Sequence, residues 1–216
     1  MQTGNRPEDG KVTEAEALLQ HILALPQGSG RSLVAIAGAP ASGKSTLAAE
    51  MTGALRQAGR KARLIPMDGF HLDNAVLEAR GLLSRKGAPE TFDADGFIVL
   101  MNRVKAGEEV VYPTFDRVRD LSIAGAAVID ANCDLVVVEG NYLLFDEPPW
   151  RSLADLWDFS IWCDTSEPVL LERCVQRWLD HNHTPDEARV RAESNDMANA
   201  RRVIDMRLRA DVCFTF

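Results

Sequence analysis

Neither a disulfide framework nor a zinc module is written into this chain. Its four cysteines, Cys133, Cys163, Cys174 and Cys213, are scattered without a C-x-x-C pair, and no histidine cluster stands at zinc spacing. Three of them sit in or beside apolar runs, which predicts buried, reduced thiols. No uncharged apolar stretch is long enough to span a bilayer. The opening residues, Met1-Gln2-Thr3-Gly4-Asn5-Arg6-Pro7-Glu8-Asp9, contain no apolar h-region, so no signal peptide is expected and the chain reads as cytoplasmic. Basic residues are outnumbered, 24 Lys and Arg against 32 Asp and Glu, for a net charge of −8. That balance speaks against a general nucleic-acid or anionic-membrane partner. Internal repeats and low-complexity segments are absent too.

Against these absences one segment stands out. Gly38-Ala39-Pro40-Ala41-Ser42-Gly43-Lys44-Ser45 completes the phosphate-loop pattern G-x-x-x-x-G-K-[ST]. The apolar run Leu33 to Ala37 leads into it, and a helical stretch from Ser45 to Gln57 follows with Leu47, Ala48, Met51 and Leu55 on one face. Glycines let the backbone wrap a polyphosphate so that its N–H groups and the helix N-terminus face the anion. The expected phosphate-binding residues are therefore Gly38, Ala39, Ala41, Ser42, Gly43, Lys44, Ser45 and Thr46. Lys44 is expected to reach the β/γ-phosphates and the Ser45 hydroxyl to ligate Mg²⁺.

Residues 1–10 read as a disordered lead-in, and Thr13 to Leu25 as a helix closed by Pro26 and Gly28. After the loop and its helix come a strand from Lys61 to Met67, one from Asp134 to Val138, one from Phe159 to Cys163 and a last one from Val212 to Phe216. Residues 72–131 lack a long βαβ unit. They predict short helices near 75–80 and 95–105 and a small hairpin from Val110–Arg117 and Ala126–Ile129. This stretch reads as an acceptor-binding insertion. A helix runs from about Ser166 to Asp180, and Thr184-Pro185-Asp186-Glu187 spells a capping box that opens another. Residues 173–195 are read as a lid. Residues 1–30 form a tail and helix on a domain spanning 31–216. The expected fold is α/β, with a five-stranded parallel sheet covered by helices on both faces.

In such sheets ligands lie beyond the carboxyl ends of the strands. Three strands end there in useful groups: the phosphate loop, Asp68 and Glu139. Glu139 resembles the metal-linked acid of a Walker-B segment, and Asp68 is placed to accept a proton from a substrate hydroxyl or to join the metal shell. Arg173 and Arg177 lie four apart on one helix face, with Arg189 and Arg191 beyond, as cations for developing phosphate charge. His71 is close enough to Asp68 for a substrate contact, whereas His181 and His183 read as loop residues. An N-K-x-D guanine-reading segment and a D-x-x-G after the third core strand are both missing, which argues against a GTPase-like switch. A non-catalytic nucleotide binder is the other alternative, but a pure binder needs no base.

The phosphate loop, Asp68-Gly69-Phe70-His71, Gly87-Ala88-Pro89-Glu90-Thr91-Phe92-Asp93, Tyr112-Pro113-Thr114-Phe115-Asp116 and Val138-Glu139-Gly140 together resemble a known family. It comprises the small-molecule kinases grouped with uridine kinase, phosphoribulokinase and bacterial pantothenate kinase. The resemblance covers roughly residues 30 to 216, and is greatest to short bacterial members labelled fructose-transport-system kinases or uridine-kinase-like proteins. It implies a P-loop fold and transfer of the ATP γ-phosphoryl group to a hydroxyl of a sugar, nucleoside or pantothenate- or glycerate-like acid, with Mg²⁺. By resemblance Asp68 is the base, Glu139 part of the metal shell, and Arg177 with Arg173 the phosphate contacts. The implied acceptor contacts are Lys86, Phe92, Asp93, Tyr112, Asp116 and Arg117. Uridine kinases carry Ser and Tyr around their Phe where this chain has Gly69 and His71, and their R-D lid segment is missing. Asp-Gly-Phe is more like pantothenate kinase, a much longer chain. A homodimer is left open.

Overall fold

Leu33 to Ala37 are fully buried, and the strand they form is the centre of the sheet. A computed structural model describes residues 10–26 and 30–216. In chain order the elements are β1 (Gly10–Val12), α1 (Ala15–Leu23), β2 (Ser32–Gly38), α2 (Lys44–Gln57), β3 (Ala62–Pro66), α3 (Asn74–Ala79), α4 (Ala94–Lys105), β4 (Val110–Asp116) and β5 (Leu121–Ile129). Then follow β6 (Leu135–Gly140), β7 (Phe159–Asp164), α5 (Glu167–Asp180), α6 (Pro185–Arg191), α7 (Met197–Asp205) and β8 (Val212–Thr215).

The main sheet runs β1-β8-β7-β2-β6-β3, and every pairing in it is parallel. It has six strands, not the expected five. The extra strand pairs Gly10, Lys11 and Val12 with Val212, Cys213 and Phe214. Three residues with one apolar side chain carry no period of their own, so β8 rather than local propensity makes this strand. The expected lead-in therefore stops short of Gly10; its first nine residues, and Gly28 at the expected helix stop, lie outside the described residues. Helix α1 closes at Ala24, before Pro26.

Helices cover both faces. On one, Val34 and Ile36 of β2 pack with Leu18 and Ile22 of α1 and with Leu47, Ala48, Met51 and Leu55 of α2. On the other, Leu33, Ala35 and Ala37 pack with Phe97, Leu100, Met101 and Val104 of α4, together with Tyr142 and Trp150. The alternation along β2 is the pleat of a strand buried twice. All four cysteines are free, and three are buried.

Between β3 and β6 the chain makes α3, α4 and a separate two-stranded antiparallel sheet, β4–β5. Arg31 ties this segment to the sheet: its buried guanidinium donates to the carbonyls of Val104, Gly107, Glu108, Asp130 and Cys133. Gly69 lets β4 approach the end of β3, since a Cβ there would lie 2.3 Å from the Pro113 carbonyl oxygen. The charged C-terminal helical stretch is three pieces: α6, opened by the Thr184–Glu187 capping box, a π-helical turn at Ala192–Asp196, and α7. Among the described residues no helix is long and apolar enough to cross a membrane.

Candidate active site

The order β2-β6-β3 puts three strand ends side by side. Glu139 is level with Ile36 on one neighbour and with Pro66 on the other, and Asp68 follows two residues past Pro66. Strand spacing is about 4.8 Å, so the phosphate loop and both acids leave one rim. Alternation aims the acid as well. Glu139 shares the parity of Leu135 and Val137, whose face packs on α2, so its side chain turns toward the α2 N-terminus.

The loop is shaped for an anion. Ala41 and Gly43 take φ of 63° and 92°, left-handed values that turn successive amides inward. A side chain at Gly43 would strike the Phe216 ring, and one at Gly38 would lie 2.5 Å from Ser42 Oγ. Thr165 Oγ1 donates to the Ser42 carbonyl at 3.1 Å, and Arg173 Nη1 to the Ala41 carbonyl at 3.2 Å. Ser45 and Thr46 are exposed at the helix mouth. Lys44 is only 9% exposed and, among the described residues, makes no hydrogen bond or ion pair. A nearly buried ammonium with no direct ion pair is costly, and a triphosphate is what the surrounding amides fit.

Glu139 is 4% exposed. Burial pushes its carboxyl above the usual range and the Asp68 charge adds to this, while Lys44, the Ser45 hydroxyl and Arg117 pull the other way. A cation placed here would relieve that strain. Among the described residues no three His, Cys, Asp or Glu side chains gather as a metal cage. Mg²⁺ needs none, since it keeps waters and takes one or two carboxylates with substrate phosphates. The Ser45 hydroxyl and the Glu139 carboxylate fit that role. Asp68, with its side chain 21% exposed, accepts from Arg117 Nη2 at 2.8 Å.

The two segments quoted as Asp68–His71 and Gly87–Asp93 are stitched to one another. Leu72 N donates to Thr91 O, Asp93 N to Phe70 O, and His71 bridges Phe92. His71 lies between the rings of Phe92 and Phe115, at 4.0 and 4.7 Å, and its Nδ1 donates to the Asp68 carbonyl at 2.8 Å. A carbonyl only accepts, so Nδ1 carries the proton and Nε2 is the free acceptor. Lys86 Nζ is held by Asn74 Oδ1 at 2.7 Å and by the Asp120 carboxylate and carbonyl, both at 2.8 Å, above the Phe115 ring.

Other expected acceptor contacts are engaged by the fold. Phe92 is buried against Tyr142 and Trp150, and Tyr112 is buried with its hydroxyl on the Leu64 carbonyl at 2.9 Å. Asp93 caps α4 through Gly96 N, and Asp116 caps the hairpin turn through Val118 N and Arg119 N. In the stretch expected to be a lid, Arg177 Nη2 binds Asp196 Oδ1 at 2.8 Å, while Asp196 Oδ2 accepts from the Trp178 indole at 2.6 Å. Arg191 stacks on Trp178 and contacts His183, and Arg189 pairs with Glu193. Sequence reasoning missed Thr165, whose place just past β7 was its only signal.

Burial pulls the His71 imidazole below its usual value, with the Asp68 charge and carbonyl opposing. The fold thus favours neutral His71, and its contribution is complete above the unfolded value near 6.5. It is lost as pH falls from there through the lower folded value, at no more than about 1.4 kcal/mol per pH unit. Thermal melting from pH 8 to 5 is expected to show a shallower acid decline in His71→Gln than in the native chain; parallel curves would remove His71 from the linkage.

A parallel sheet with a phosphate loop at its centre and two acids on the adjoining strand ends defines a P-loop kinase. Residues 33–184 match the Phosphoribulokinase / Uridine kinase family, and the chain belongs to that family. A crystal structure from Silicibacter sp. TM1040, described as a "putative fructose transport system kinase", is 51% identical with a TM-score of 0.90, covering 94% of this chain and 99% of its own. A Schizosaccharomyces pombe "putative uridine kinase" is 32% identical over 201 residues, 87% of this chain and 84% of that one. The pantothenate kinase of Limosilactobacillus reuteri is 37% identical over 145 residues, 65% of this chain, which thereby spans about half of that enzyme. The chain is accordingly a small-molecule phosphotransferase with an alcohol group as acceptor, and its family implies ATP and typically Mg²⁺.

Proposed function

We propose that this protein moves the γ-phosphoryl group of ATP onto a hydroxyl of a sugar such as fructose, a nucleoside, or a pantothenate- or glycerate-like acid. The observation that carries the proposal is the register of β6, which sets Glu139 level with the ends of β2 and β3. The loop amides and Lys44 bind the β- and γ-phosphates. Ser45 and Glu139 would hold Mg²⁺, which would supply charge neutralisation at those phosphates. Asp68 takes the proton of the acceptor hydroxyl as its oxygen bonds to phosphorus, and the bond to ADP breaks. Arg117 fixes the orientation of that carboxylate. Arg173, already on the loop, is the nearer cation for the phosphates, since Arg177 must first leave Asp196. His71 Nε2 and Lys86 face the acceptor. The reading includes no nucleic-acid or membrane partner.

An ADP-release assay with ketohexoses, nucleosides, glycerate and pantothenate tests this. One of these classes is expected to raise ADP release at least about tenfold over the acceptor-free rate, a change in apparent barrier of about 1.4 kcal/mol. A chain that binds ATP yet responds to none of them is a nucleotide binder instead.

A further inference from the structure

Helix α7 reaches the site from a side that no motif marked. Met197 and Ala200 share one buried cluster with Ala39 of the phosphate loop and Leu170 of α5. On the same helix Asn199 stands beside the Lys86–Gly87 loop, its Nδ2 lying 4.0 Å from where a Gly87 Cβ would sit. Asn199 is thus placed between the phosphates and the acceptor insertion, and it is 2% exposed.

A run of hydrogen bonds fixes the polarity of its amide. The Lys86 carbonyl can only accept, so the group of Asn195 that meets it at 2.9 Å is Nδ2. Asn195 Oδ1 then faces Asn199 and takes its Nδ2 proton at 3.4 Å. What remains of Asn199 is Oδ1, a pure acceptor, buried and without a partner. Asn141, two residues beyond Glu139, has a second buried Oδ1 without a partner. The neighbouring Tyr142 hydroxyl donates to the Gly87 carbonyl at 2.5 Å, so the residue after Asn141 meets the same loop as Asn199. Folded proteins leave few such atoms. Asn195 belongs to the π-helical turn, a distortion that recurs at functional sites.

We propose that Asn199 reads the acceptor: its Oδ1 accepts a hydrogen bond from a hydroxyl other than the one phosphorylated. The substrate class is then compounds with at least two hydroxyls. This rests on the kinase reading above. Carboxylate and phosphate oxygens are unsuited to this position, because a carbonyl oxygen offers them no proton. The atom is covered, so entry of the hydroxyl requires α7 to part from the Lys86–Gly87 loop. The missing bond favours that exchange.

The test is ADP release with fructose, uridine, D-glycerate and pantothenate, each beside analogues lacking one hydroxyl, such as 2′-deoxyuridine, 3′-deoxyuridine and 3-hydroxypropionate. For the best acceptor, one deletion that leaves the reacting hydroxyl is expected to lower kcat/KM about ten- to a hundredfold. Asn199→Ala should lose a similar factor on the parent compound through its KM, and lose nothing more on that analogue, with KM for ATP unchanged. A merely structural asparagine would instead lower parent and analogue alike, which overturns the assignment. So does a single-hydroxyl acceptor handled as well as its parent. Should Asn199→Ala fail to bind an ATP analogue, the deoxy series on the native chain decides alone. ADP release with none of these compounds, despite nucleotide binding, overturns the kinase reading and this assignment with it.

Discussion

Asp68→Asn is expected to lower acceptor-dependent turnover about a thousandfold while Mg·ATP affinity stays within about twofold. The substitution is nearly isosteric, and an amide oxygen can still accept from Arg117 as Oδ2 does now. The backbone around it is fixed independently, by Asp93 N on Phe70 O and by the close approach of Pro113 to Gly69. What the variant loses is the ability to take a proton. Steady-state kinetics paired with calorimetry of an ATP analogue separate the two effects. Normal turnover would remove Asp68 as base. A large loss of Mg²⁺-dependent binding would move it into the metal shell.

Lys44→Ala should weaken nucleotide affinity about ten- to a hundredfold and turnover by a further factor of about a hundred. Two consequences are joined here. The phosphates lose a charged donor, and Glu139 loses the first of the groups that counter its burial, so its carboxyl is pushed up further. Titration of an ATP analogue and steady-state kinetics check both losses. Unchanged affinity would reject the phosphate loop as the binding element.

The sheet and the loop were legible because each rests on local pattern. Five apolar runs predict five strands, and Leu47, Ala48, Met51 and Leu55 mark the face of α2 that the structure buries. Strand β1 was not legible, since its only support is β8, two hundred residues away. The motif segments pointed to the site but not to the task of each side chain. Phe92 and Tyr112 stand in quoted motifs, yet they are spent on packing and on the Leu64 carbonyl, and Asp93 and Asp116 on capping. A motif records that a segment is needed there, not which atom faces the ligand. Asn195 and Asn199 lay outside reach for the opposite reason. Their meaning comes from a π-helical turn and a contact with Lys86 more than a hundred residues earlier, and neither leaves a period in the sequence.

The most direct test of the account is whether one magnesium-bound triphosphate bridges the loop and the end of β6. Calorimetry of an ATP analogue, with and without Mg²⁺, on the native chain and on Glu139→Gln measures it. The account predicts one site per chain, binding that weakens about tenfold when Mg²⁺ is withheld from the native protein, and a Glu139→Gln variant indifferent to the metal. Full Mg²⁺ dependence persisting in Glu139→Gln would contradict it.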